Sequence, residues 1–221
     1  EFKELQIQNP ETYYEVYNER NERELEQLAE LKWESPTSLK YLERVNHPSV
    51  PTIYPPMAQY VFRAVHFFQP DSILAMRVAF LTFDVLALFF IVGILGKLGL
   101  NKNMSGVYFW CPLIIKETFN STHLDIIGIS FLCGSIYFLV HNRHTLATFF
   151  LALGFLGKLY PAILFPLYIQ ACFQYCRKSE GNPWRTPILN SLFFVGIIIL
   201  GYVPFMGIGL QMFDGLKAYS L

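Results

Sequence analysis

A chain of 221 residues with 53% hydrophobic and 17% aromatic side chains, and a mean hydropathy of +0.33, carries more apolar surface than a soluble domain needs for its core. Basic and acidic residues balance overall but not locally. Residues 1–55 hold eleven Asp/Glu against six Lys/Arg, and residues 56–221 hold six against eleven. An acidic polar segment followed by a basic apolar one predicts an all-α, polytopic transmembrane helical bundle and lends no support to nucleic-acid binding.

In chain order, Asn18 to Lys32 reads as a polar-surfaced helix, with Leu25, Leu28 and Leu31 at spacing three. It belongs to a loop region over residues 1–56, expected on the extracytoplasmic side. Pro48, Pro51, Pro55 and Pro56 exclude regular helix from Val45 to Pro56, although Pro56 suits the first residue of the next helix. Met57 to Gln69 is too short to cross about 30 Å of hydrocarbon. Its Arg63 and His66 among aromatic and branched residues fit a helix lying in the interface, within an interfacial region of residues 57–71.

The transmembrane region, 72–221, begins with the long apolar stretch Ser72 to Gly99. Further segments are expected at Ser105 to Thr118, Thr122 to Val140, Thr145 to Gly157, Tyr160 to Cys176 and Arg185 to Met206. Two of these are short for a perpendicular span, a feature of broken helices that meet at a site. If residues 1–71 lie outside, Lys97, Lys102, Arg143, Arg177, Lys178 and Arg185 fall in the inner turns, and Lys116, Lys158 and Lys217 in the outer ones. The positive-inside rule favours this orientation.

It also gathers Lys116, Glu117, His123, Asp125 and Lys158 on the outer face. Ionisable side chains at the edges of apolar runs are unfavourable there unless they work. Between Lys116 and Asp125 the chain is expected to turn at Asn120-Ser121-Thr122. Thr122 would then cap a new helix, with Asp125 in capping-box position and His123 beside free amides. Lys158, followed by Tyr160-Pro161, places an ammonium near a helix start, an arrangement suited to an oxyanion. A snorkelling interfacial lysine is the plainer alternative. Arg77 and Asp84, seven apart, read as a helix-packing pair. Cys111, Cys133, Cys172 and Cys176 lack CxxC spacing and read as buried or interfacial thiols. There is no HExxH, phosphate loop or nucleophile elbow, so neither a metal nor a cofactor is expected.

Asn46-His47-Pro48, Thr52-Ile53-Tyr54-Pro55-Pro56, the run from Lys116-Glu117 to Asn120-Ser121-Thr122-His123-Leu124-Asp125, and Lys158-Leu159-Tyr160-Pro161 form an ordered set. This set resembles the GT-C integral membrane glycosyltransferases, above all their bacterial polyprenol-phosphate-mannose-dependent mannosyltransferase-like members. The resemblance implies a polytopic enzyme of the bacterial cytoplasmic membrane. Such an enzyme moves a sugar, mannose by inheritance, from a polyprenyl-phosphate donor to a glycan or lipid acceptor at the outer face.

It further implies donor-phosphate contacts by Lys116, His123 and Lys158, and supporting carboxylates at Glu117 and Asp125. The sugar pocket would be lined by His47, Tyr54, Asn120 and Tyr160. The family's general base is an acidic residue of the first outer loop, expected upstream of Glu1, so the sequence reads as a fragment inactive by itself. A transporter or flippase for an anionic lipid or polyol would use the same cations without bond cleavage. An assembly subunit would tolerate loss of Lys158.

Overall fold

The computed structural model describes residues 52–178, 182–213 and 215. The expected helix over Asn18 to Lys32 and the residue His47 lie outside them. The chain divides into two compact units, of which Tyr54–Gly207 is one. Thr52, Ile53 and the described residues from Ile208 onward belong to the other, and the account below concerns the first.

Among the described residues all regular structure is helical. Helix α1, Pro56–Phe68, starts with Pro56 in its first turn, where the missing amide hydrogen has no intrahelical partner to lose. It ends at Gln69, and Phe67 and Phe68 stand almost fully exposed. Its opposite face buries Ala58 against Phe80, Leu124, Ile126 and Ile127. The helix expected over Met57 to Gln69 thus forms as Pro56–Phe68, with one face packed and the other bare.

Helix α2, Ile73–Lys97, opens on a Ser72 cap, whose hydroxyl accepts a hydrogen bond from the Ala75 amide at 3.2 Å. Its apolar residues encircle the axis. Phe80, Ala87 and Phe90 point inward, and Leu74, Val78, Leu81, Val85 and Phe89 form an outward stripe. A helix apolar all round needs an apolar surrounding on its free side. Two helical stretches, Ile73–Lys97 and Arg185–Gly207, are long and apolar enough to cross a membrane.

The expected segment Ser105 to Thr118 is not one helix. The chain returns along α2 in short pieces: a 3₁₀ turn over Lys102–Ser105, α3 (Gly106–Phe109), α4 (Pro112–Ile115) and a π turn over Lys116–Asn120. Pro112, which has no amide hydrogen to donate, marks the break. The return is antiparallel to α2. Lys102 lies over Gly96, Tyr108 bonds to Asp84, and Phe119 meets Arg77.

Helices α5 (Asp125–Val140) and α6 (His144–Gly157) form a hairpin in the middle of the unit. Close approach needs glycine. A Cβ on Gly157 would stand 3.3 Å from the backbone nitrogen of Gly128, and one on Gly134 would collide with the Phe150 ring. Ser135, fully buried, donates to the Ala147 carbonyl at 2.7 Å and lies 2.5 Å from the Tyr168 hydroxyl. Helices α7 (Phe165–Cys176) and α8 (Arg185–Tyr202) pack on the far side of α6, where Tyr168 and Phe194 join Ala147, Leu151 and Ala152.

The ring pairs Phe83–Phe131 and Phe90–Tyr137 set α5 parallel to α2, and Phe149–Phe193 with Phe155–Phe194 set α8 parallel to α6. Lys97, Lys102, Arg143, Arg177, Lys178 and Arg185 therefore fall at one end of the unit, the end expected from their turns. The start of α2, the start of α5 and the end of α6 fall at the other.

Candidate functional site

At that second end the chain reverses between the π turn and α5. The Ser121 amide donates to the Lys116 carbonyl and the His123 amide to the Glu117 carbonyl, each at 2.9 Å. Thr122 takes a positive φ of 53°, which closes the reversal. The turn at Asn120-Ser121-Thr122 thus forms, but the expected cap does not. Helix α5 starts at Asp125, and its preceding residue, Leu124, makes no side-chain cap. In the left-handed region Thr122 stands outside the helix start, and the Asp125 carboxylate is taken by a distant partner instead.

That partner is Lys158. Its ammonium and the Asp125 carboxylate form an ion pair between the last residue of the α6 cap and the first residue of α5. Lys158 is extended, with φ −156° and ψ 144°, so it leaves the helix and lays its stem across α5. A Cβ on Gly128 would meet Lys158 Cβ at 3.3 Å and the Tyr160 hydroxyl at 3.5 Å. The lysine expected beside free amides is therefore held by a carboxylate.

Tyr160 sits in the 3₁₀ turn Tyr160–Leu164, between α6 and α7. Its hydroxyl would stand 3.5 Å from a Cβ on Gly128, the same position that Lys158 Cβ covers. It sets a phenol beside the ion pair.

A second group of ionisable side chains, Lys116, Glu117 and His123, precedes Asp125 in the chain. Glu117 stands between two basic side chains, with His123 Nε2 at 3.0 Å and Lys116 Nζ at 3.6 Å. His123 and Lys116 keep 59% and 67% of their side-chain surface, so both reach solvent or a ligand while Glu117 anchors them. Exposed pairs of this kind contribute about 0–1 kcal/mol to stability, and their value is in position.

Asn120 supplies its backbone rather than its amide side chain: its carbonyl accepts from Arg77 Nη2 at 3.3 Å. The same guanidinium stands 5.9 Å from the centre of the Phe119 ring. Arg77 therefore faces the π turn and not Asp84, which accepts a 2.5 Å hydrogen bond from Tyr108. Arg77 and Asp84, expected as a helix-packing pair, both meet the returning chain, each against a different part of it. Arg77 is the site-end residue that spacing did not single out. Its signal was an arginine in the second turn of an apolar helix.

Tyr54 precedes α1 and sets its ring edge-on to Phe62 at 6.5 Å. Its backbone carbonyl accepts from Gln59. Since Ala58 is buried with Leu124 and Ile126, α1 is fixed beside the start of α5. One end of the unit thus unites Lys116, Glu117, Asn120, His123, Asp125, Lys158 and Tyr160. His47 lies outside the described residues.

In chemical terms the arrangement offers exposed cations beside carboxylates at the mouth of an apolar bundle, fit to hold an anion and to orient hydroxyl groups. Comparison with family models, with curated proteins and with solved structures finds no match to this chain.

Proposed function

We propose that the chain forms part of a polytopic membrane glycosyltransferase of the GT-C kind. It would move a sugar from a polyprenyl-phosphate donor to a lipid or glycan acceptor at the extracytoplasmic face of a bacterial cytoplasmic membrane. The observation that carries this reading is the collection of Lys116, Glu117, His123, Asp125, Lys158 and Tyr160 at one end of an apolar helical unit. That end is opposite the one rich in lysine and arginine.

Displacement of a lipid phosphate leaves negative charge on the departing oxygen, and preorganised cations there lower the barrier. Lys116 and His123 are exposed and poised for that contact, with Glu117 holding both. Lys158 reaches the same region in company with Asp125, so it meets a phosphate only by sharing or leaving that carboxylate. Asp125, Glu117, Asn120 and Tyr160 orient donor and acceptor hydroxyls. Helix α1 lies in the interface and brings the preceding Tyr54 to the sugar. The supply of polyprenyl-phosphate sugar comes from the membrane, and no cofactor is invoked.

The test is sugar transfer from a radiolabelled polyprenyl-phosphate mannose in membranes that carry the full-length gene product. Lys116→Ala and His123→Ala are expected to lower transfer about ten-fold or more each, and Lys102→Ala, at the opposite end, is not. Transfer by the wild type that survives both site substitutions would remove these residues from the reaction.

The broken return over Lys102–Asn120 favours a second reading, since transporters for anionic lipids or polyols bind substrate at interrupted helices. It predicts lipid movement across vesicles with no glycosidic product.

A further inference from the structure

At the site end, the carboxylates have partners: Asp125 has Lys158, Glu117 has Lys116 and His123, and Asp71 has His66 at 3.9 Å. Arg77 is different. Among the described residues no carboxylate pairs with it, and its single hydrogen bond is the one to the Asn120 carbonyl. Its Nε is buried with no partner at all. A guanidinium is always charged and carries five N–H donors in a planar fork. Leaving such a group half-buried without a counter-anion is unfavourable, and an arriving anion relieves the imbalance.

Its place in the fold selects the anion. Arg77 is the fifth residue of α2, about 6 Å along the helix from its start. On a helix long enough to cross a membrane, that depth is near the headgroup boundary. The planar fork matches the oxygens of a phosphate two at a time. The flanking surface is apolar, with exposed Leu74 and Val78 on the same helix and Phe119 opposite. A phosphate attached to a hydrocarbon chain satisfies both surfaces, whereas a soluble phosphate satisfies one.

We propose that Arg77 binds the phosphate of a membrane lipid between the start of α2 and the π turn Lys116–Asn120, while the Asp125–Lys158 pair holds α5 and α6 together. That the lipid is a polyprenyl phosphate rests on the transferase reading above. The Arg77 site itself requires only a lipid phosphate.

The experiment uses the full-length protein in detergent, with thermal stabilisation and equilibrium binding of polyprenyl phosphate, uncharged polyprenol, inorganic phosphate and phosphatidylglycerol. Polyprenyl phosphate is expected to bind and stabilise the wild type, and polyprenol is not. Arg77→Gln is expected to abolish binding. Arg77→Lys keeps the charge that faces Asn120 and guards against misfolding, and it should weaken binding about ten- to hundredfold. Phosphatidylglycerol binding that depends equally on Arg77 would support the site and assign it to bulk headgroups. Tighter binding of inorganic phosphate than of either lipid would overturn it. So would Arg77→Lys and Arg77→Gln proteins that melt like the wild type and bind polyprenyl phosphate equally well.

Sugar transfer measured on the same preparations separates the two conclusions. Wild-type transfer with Arg77-independent binding removes the Arg77 site and leaves the transferase. Arg77-dependent binding without transfer leaves the site and removes the transferase.

Discussion

Asp125 opens α5 and Lys158 closes α6, so their ion pair ties the free ends of one hairpin. The other ends are joined by the chain itself at His141 to Arg143, where the Arg143 amide bonds to the Phe138 carbonyl at 2.8 Å. The hairpin is thus closed at both ends, by covalent linkage at one and electrostatics at the other.

Breaking that clamp from one side is predicted to be worse than removing it. Asp125→Asn and Lys158→Met should each lower the melting temperature of the purified protein. The double variant should recover part of the loss, with a coupling of about 1 kcal/mol because both side chains keep over a third of their surface. Strictly additive losses in a thermal-melt cycle would show that the pair contributes no coupling.

A larger penalty is expected in the middle of α2. Tyr108→Phe leaves the Asp84 carboxylate without its 2.5 Å donor in an apolar helix and should cost about 1–3 kcal/mol. Asp84→Leu combined with Tyr108→Phe removes the polar pair together and should be milder than Tyr108→Phe alone. Unfolding in mixed micelles distinguishes these outcomes.

Glycine positions separate packing from helix propensity. Gly134→Ala brings a methyl against Phe150 and Phe90 and should destabilise by about 1–3 kcal/mol. At Gly196 nothing lies within 4 Å of the added carbon, so Gly196→Ala should be neutral or slightly stabilising. Equal melting temperatures for the two variants would contradict the tight α2–α5–α6 contact.

The end-to-end division of charge predicts opposite accessibility. With the native cysteines replaced, Ser121→Cys should react with an impermeant maleimide from outside intact cells. Asn103→Cys should react only after the membrane is opened. Both positions are exposed on the protein surface. Labelling of both from one side would rule out the crossing by α2 and its return.

Much of this was legible in the sequence because it follows from local chemistry. Pro56 at a helix start, the apolar run that became α2 and the reversal at Asn120-Ser121-Thr122 each depend on a few neighbouring residues. The pairing of charges did not follow, since it depends on which helices become neighbours. Asp125 looked like a cap until Lys158, thirty-three residues away, was placed across Gly128. Arg77 and Asp84 read as packing residues because spacing on one helix is visible, but the path of the chain that sets Arg77 against Asn120 and Asp84 against Tyr108 is not. The short pieces between Lys102 and Asn120 were not legible: one segment was expected over Ser105 to Thr118, whereas the chain breaks at Pro112 and closes in a π turn.

Helices α5 and α6, sixteen and fourteen residues long, give the central hairpin a height of only about 21–24 Å. A bilayer with about 30 Å of hydrocarbon therefore overtops it by several ångströms. Asp125 and Lys158 stand at one edge of this short hairpin, each keeping over a third of its side-chain surface. Helix α2, with twenty-five residues, outruns the hairpin it packs against by about 13–16 Å. The short hairpin thus sets its clamping ion pair beside a longer apolar helix.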